Sequence, residues 1–247
     1  MYYLNKLVSP TELYHLLTYP KDDVELGIKR YAKLRKLGIV GIYDYGPTLI
    51  NGIRVLGKGH SSVVFLARHD ALGDVAVKVR RADSKRDSLA KEGYLMSLDK
   101  FNVVPKVYYF DDDVIIMEYL NGVVLGDYLK NANTNYSLVK VVSNVVIAAY
   151  MLDLDLIDHL ELTNPTRHVF ILEDLRVRFV DFESARISPN PCNLCRITSY
   201  FINLFGMVNT DVVKEYLRKY KSGMRESYRD VLKALLLSKA GSSCSSV

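Results

Sequence analysis

The chain has 247 residues, of which 49% are hydrophobic and 25% charged, an ordinary globular composition with no internal repeat or low-complexity domain. That length suits one large domain or two small lobes with an ample core. A net charge of +5 permits an anionic ligand such as a nucleotide, a nucleic acid or an acidic partner, without demanding any of them.

The opening residues, MYYLNKLVSP, lack a basic start followed by a long apolar run, so no signal peptide is expected. No stretch of about 18 uncharged apolar residues occurs, so no membrane span is expected either. The expected compartment is the cytoplasm. Ser9-Pro10-Thr11-Glu12 reads as a capping box opening a first helix that ends near Pro20. A second helix runs from Asp22 to Leu37 and stops at Gly38, with Lys29, Lys33 and Lys36 as a basic stripe. Ile39–Tyr43 and Leu49–Leu56 read as strands around a Gly-Pro turn. Residues 1–50 thus form an N-terminal helical and hairpin extension. It is either a cap packed on a sheet or a winged helix contacting nucleic acid weakly through its lysines. A winged helix normally has three helices, and two are counted here.

Further strands are expected at Ser62–Ala67, Asp74–Val79, Lys106–Phe110 and Val114–Met117, with a helix over Ser84–Leu98. After Asn121-Gly122 the chain turns mostly helical: Leu138–Leu152, Asn193–Phe205, Asp211–Tyr220 and Glu226–Leu237. Two short strands, His168–Leu172 and Val177–Asp181, interrupt these helices. Residues 240–247 are expected to be a disordered tail. The order fits a two-lobe α+β architecture with its seam near Leu120–Val123. Cys192 and Cys195 form a lone CxxC, read as two reduced thiols at a helix start, with a redox pair or a shared metal site as alternatives.

Five segments carry chemistry. In VLGKGHSSVVFLA, Gly57, Lys58 and Gly59 lie between strand-like runs, followed by Ser61, Ser62 and Val64. Such a turn lets backbone N–H groups approach a phosphate, although glycine-rich hairpins are common. In DVAVKVRR, Lys78 sits in a strand interior after Ala76. It is either a snorkelling lysine or one held in a cleft by an acid, for which Glu92 is placed in the next helix. In VIIMEYLNG, Met117 ends a strand and Glu118, Tyr119 and Leu120 begin a connector whose backbone suits a planar base edge. In DHLELTNPTRHVFI and VRFVDFESA, Glu161 lies in a loop and Asp181 at a strand end, a pair suited to proton acceptance and metal binding.

Order and spacing together resemble the protein kinase-like family over about Ile53 to Phe205. Gly57, Gly59 and Val64 match its glycine loop, with Ser62 in place of the third glycine. Lys78 and Glu92 match its strand lysine and helix glutamate, and Met117 stands in its gatekeeper place before Glu118 and Leu120. His159-Leu160-Glu161 stands where the family has His-Arg-Asp, and Asp181-Phe182-Glu183 where it has Asp-Phe-Gly. The wording is most similar to compact archaeal predicted serine/threonine kinases, and in economy to atypical RIO-type kinases.

The resemblance implies a kinase N-lobe over 51–120 and a reduced C-lobe over 121–239. It implies ATP and Mg²⁺ as cofactors and γ-phosphate transfer to serine or threonine of a protein, including the chain itself. Lys78, Glu161 and Asp181 would be catalytic, with Asp181 and His168 as metal ligands. For the second ligand Thr166, His168 and Asn164 all remain candidates, and His168 reads equally as a structural histidine. Asp158 is the alternative base. Only about ten residues separate Asp181 from the next helix, too few for the usual activation segment. A small-molecule kinase of the choline or aminoglycoside type and an ATP-binding pseudokinase scaffold are the other readings. Phe182 is expected to pack beneath Asp181, and Glu183, lacking glycine's freedom, to give a fixed corner.

Overall fold

A computed structural model describes residues 7–131, 135–207 and 210–242 of the chain. The start of the N-terminal decapeptide (1–6) and most of the expected tail (243–247) lie outside the described residues. The fold is mixed α+β, and the chain divides into two compact units. One comprises Met1–Ser97 with Lys106–Leu120, the other Leu98–Pro105 with Asn121–Val247.

The first unit begins with α1 (Pro10–Leu17) and α2 (Val24–Lys36). Ser9 caps α1 in a complete capping box with Glu12, and the Asp23 side chain accepts from Leu26 N at the head of α2. Strands β1 (Ile39–Ile42), β2 (Thr48–Ile50), β3 (Ile53–Val55), β4 (Gly57–Lys58), β5 (Ser62–His69) and β6 (Gly73–Arg80) follow. Then come α3 (Ala90–Ser97), β7 (Val107–Phe110) and β8 (Val114–Glu118). The main sheet is antiparallel in the order β1-β5-β6-β8-β7, with β4 paired to β5.

Alternation along these strands sorts the side chains onto two faces. Val63, Phe65, Ala67, Val75, Val77, Val79, Val114 and Ile116 share one buried cluster with Leu13, Leu16 and Leu17 of α1 and Leu34 of α2. The N-terminal helices therefore share the core of the sheet. The other face carries Val64, Ala76, Lys78, Ile115 and Met117, which are joined by direct cross-strand pairing in the register. Of the expected basic stripe, Lys33 lies 2.6 Å from Asp111 and Lys29 2.7 Å from Glu25, so both charges are paired within the unit.

The second unit holds β9 (Gly122–Val124), α4 (Leu125–Asn131), α5 (Asn135–Leu154), β10 (Ile157–Asp158), β11 (Val169–Leu172), β12 (Val177–Phe179) and β13 (Arg186–Ile187). Helices α6 (Asn193–Leu204), α7 (Asp211–Lys221) and α8 (Tyr228–Ser242) complete it. Its strands form a β12-β11-β9 sheet and a β10-β13 pair. Val141, Val142, Val145, Val146, Ala149 and Leu152 of α5 are buried, and α5 packs on α6, α8 and β12. Over Ser137–Leu154 this helix is long and apolar enough to cross a membrane by length and composition, with mean hydropathy 1.6. It escaped the sequence criterion because Lys140 and Asp153 interrupt the apolar run.

Four expectations need correction. The strand at 39–42 does not fold onto its successor but pairs with β5, while 48–55 is itself a hairpin turning at Asn51-Gly52, both at positive φ. The helix expected from Ser84 starts only at Ala90. The Ser88 hydroxyl accepts from Ala90 N at 2.9 Å and Leu89 N donates to Asp112 O, which holds the preceding residues outside the helix. Residues 240–242, expected in the tail, continue α8. Cys192 and Cys195, expected as reduced thiols, are joined by a disulfide at the head of α6.

Candidate functional site

In the first unit, Lys78 Nζ donates to both carboxylate oxygens of Glu92, at 2.6 and 2.8 Å. Both residues are buried, at 6% and 5% exposure, so neither charge is stable without the other. The pair forms because β6 puts Lys78 on the face opposite the apolar cluster and α3 crosses that face. Gly93 makes the crossing possible: a Cβ there would stand 2.4 Å from Phe110 Cβ. The Lys78 row continues through Val64 to Gly57 in β4, where an added Cβ would meet nothing within 4 Å. Ala76 and Met117 form the next row. Gly57, Val64, Ala76, Lys78, Glu92 and Met117 thus belong to one face.

The remaining cofactor candidates are placed differently. Lys58 pairs with Val63, on the opposite side of the strand, and its Nζ lies 3.3 Å from Tyr19 OH. It is therefore turned away from the Lys78 face. The Gly59–Ser62 tip is closed by Gly59 N donating to Ser62 O at 2.9 Å, and it is braced by Arg81. Arg81 N donates to Ser61 O at 2.8 Å and its guanidinium to Gly59 O at 3.0 Å. Ser61 and Ser62 are buried in this tip. The Glu118 carboxylate accepts from Lys106 N at 3.2 Å, across from β7, and Leu120 is half-buried at the end of the unit.

In the second unit, Glu161, His168 and Asp181 converge, with one ligand atom from each lying within 4.8 Å of the others. His168 Nε2 is 3.2 Å from Glu161 Oε2, with side-chain exposures of 16% and 35%. Of the three candidates for the second ligand, His168 joins this group. Thr166 Oγ1 instead donates to Asn164 Oδ1 at 2.9 Å. Asp158 is unsuited as a base, being buried and ion-paired with Arg196 and Arg186. Leu160 and Asp181 both hold left-handed backbone, at φ 68°. The strained residue of the corner is therefore Asp181 itself, and Glu183 has no such backbone.

A buried frame fixes these positions. His159 is fully buried and its Nε2 lies 2.9 Å from Val180 O. Burial lowers its pKa to about 4, so the ring is neutral at pH 7 and carries its proton on Nε2 to serve that carbonyl. Phe182 is buried and meets the His159 ring edge-on at 4.8 Å. Asn193, the first residue of α6, accepts from His159 N at 3.0 Å and donates to Ile157 O at 2.6 Å. Asp153 in turn accepts from Asn193 N and Nδ2, Leu194 N and Tyr220 OH. Sequence reasoning did not single out Asp153, Asn193, Arg196 or Tyr220. An acid inside the apolar run of α5 was the one available signal.

No protein-family model matches the chain, and no curated protein matches it. The donor set itself is what bears on a cofactor. Two carboxylates and an imidazole within ligand reach fit a divalent cation. The open space over Gly57, two strands from Lys78 in the same row, fits an anionic group approaching backbone.

Proposed function

We propose that the chain is an ATP-dependent phosphotransferase of two-lobe kinase-like fold, transferring the γ-phosphate to a serine or threonine hydroxyl. The observation that carries this reading is the convergence of Glu161, His168 and Asp181, residues seven and thirteen positions apart, into one group able to hold a cation. The Lys78–Glu92 pair supports it independently.

In this reading Lys78 binds phosphate oxygens and Glu92 fixes the ammonium in place. Asp181 and His168 would hold a divalent cation. When bound, that cation neutralises charge on the transferring phosphate. Glu161 would lend one carboxylate oxygen to the cation and with the other orient the acceptor hydroxyl, taking its proton as the new O–P bond forms and the bond to ADP breaks. His159 holds the carbonyl before Asp181 and acts through position alone. A small-molecule acceptor is the second reading. It is favoured by β13 pairing back onto β10, which occupies part of the short segment between Asp181 and α6.

The test is incubation of the full chain with γ-labelled ATP, divalent cation and either generic protein acceptors or a set of hydroxylated metabolites. Label is expected on protein. Lys78→Arg, which keeps Glu92 paired but replaces the ammonium by a guanidinium fork, is expected to lose at least about 10²-fold in rate. Label on metabolites alone selects the second reading, and equal transfer by both chains contradicts the role of Lys78.

A further inference from the structure

We infer that the Glu161–His168–Asp181 group is selective for a first-row transition dication, Mn²⁺, over Mg²⁺. This deepens the phosphotransferase reading and relies on it only for the role of the ion. Three observations lead there.

The donor set is mixed, since two carboxylates are joined by an imidazole and their ligand atoms lie within 4.8 Å of one another. Mg²⁺ is a hard ion that demands octahedral oxygen and surrenders its water reluctantly, so an imidazole adds little to its binding. Along the first-row series the same nitrogen strengthens binding, from Mn²⁺ upward to Co²⁺. Carboxylate oxygens remain good ligands for Mn²⁺, which also suits phosphate oxygens.

The histidine is also uncommitted. His159, its neighbour at 5.4 Å between ring centroids, uses Nε2 to hold the Val180 carbonyl. His168 Nε2 lies 3.2 Å from the Glu161 carboxylate, itself a candidate ligand, and His168 Nδ1 has no hydrogen-bond partner among the described residues.

Finally, the group is held ready. His168 closes the 3-10 turn Pro165–Arg167, its carbonyl accepts from Val180 N at 2.9 Å, and Asp181 follows directly. His168 and Asp181 are thereby locked across adjacent chain segments, and Asp181 keeps a left-handed conformation that a non-glycine residue adopts only at some cost.

The experiment is calorimetric titration of the full chain, without nucleotide, with MgCl₂, MnCl₂ and CoCl₂, for wild type and His168→Asn. Electron spin echo spectroscopy of the Mn²⁺-loaded chain is the second readout. Wild type is expected to bind Mn²⁺ at least about tenfold more tightly than Mg²⁺, with Co²⁺ at least as tight as Mn²⁺. It should also show ¹⁴N modulation from a coordinated imidazole. His168→Asn, with unchanged far-UV circular dichroism, should bring the Mn²⁺-to-Mg²⁺ ratio near one and abolish the ¹⁴N signal. Equal affinities in wild type, no binding of any ion, or a ratio and signal untouched by His168→Asn would each overturn the inference. Should His168→Asn unfold, the ¹⁴N signal and the wild-type ratio still decide. Label transfer with Mg²⁺ in the absence of Mn²⁺ selectivity would sink this inference and leave the phosphotransferase reading standing. Selective Mn²⁺ binding without ATP turnover would do the reverse.

Discussion

Asp153 shows how a single buried acid can set the position of a distant loop. Burial pushes its pKa up to about 6, while hydrogen bonds from Tyr220, Asn193 and Leu194 pull it down. At pH 7 it is therefore ionised, which matches its acceptance of four donors and leaves no proton to place. Its folded pKa lies above the unfolded value of 3.8, so the stability it contributes is fully present below that value and is lost as pH rises through about 6. Asp153→Asn removes this titration. The wild type should gain on the variant by about 2 kcal/mol as pH falls from 6.5 to 3.8, measured as the difference in urea unfolding free energy. His159, whose folded pKa is lowered, titrates in the opposite sense but is common to both chains, so the difference isolates Asp153. A gap that is constant with pH would rule out the raised pKa.

At the scale of elements, the approach of α3 to β7 decides whether Glu92 reaches Lys78. Gly93 has ordinary backbone and is required only for closeness, because a methyl group would strike Phe110 near its backbone. Gly93→Ala should lower stability by about 1–3 kcal/mol through overpacking and, if the phosphotransferase reading holds, weaken ATP binding by loosening the ion pair. Thermal denaturation and nucleotide titration check both effects, and unchanged ATP affinity would separate the pair from nucleotide binding. Elements like this were legible where a repeat of period two or 3.6 was strong, as in β5, β6 and α5. They were obscure where a side chain competed with the backbone. Ser88 delayed α3, and Asn51-Gly52 broke one expected strand into the β2–β3 hairpin. β9 and α4 are short and rely on partners far along the chain, β11 for the one and the 3-10 turn before it for the other. No local window carries that information.

At the scale of the whole molecule, the α+β class could be read from the sequence, whereas Lys58, expected beside Lys78, turns away from that face. Spacing offered Glu92 as an acid within reach of Lys78 but left a snorkelling lysine open, and the coordinates decide for the pair. Choosing His168 over Thr166 and Asn164 needed coordinates, since the turn at Pro165–Arg167 sets which of them faces Glu161. The buried frame of Asp153, Asn193 and His159 was hidden because its members are polar residues that touch only in three dimensions. The disulfide was equally hidden, since two cysteines at this spacing suit thiols, a redox pair or metal ligands.

Asp181 joins these scales: it is a strained residue at the end of a pinned strand and the group on which the phosphotransferase reading turns. The most direct measurement is the rate of γ-phosphate transfer by Asp181→Gly beside wild type, with urea unfolding of both chains. Glycine adopts the left-handed backbone without penalty, which offsets its greater unfolded-state entropy, so the variant should stay within about 1 kcal/mol of wild type. Its transfer rate should nevertheless fall by at least about 10²-fold. A stable variant that transfers phosphate at the wild-type rate would contradict the role of Asp181 and, with it, the proposed function.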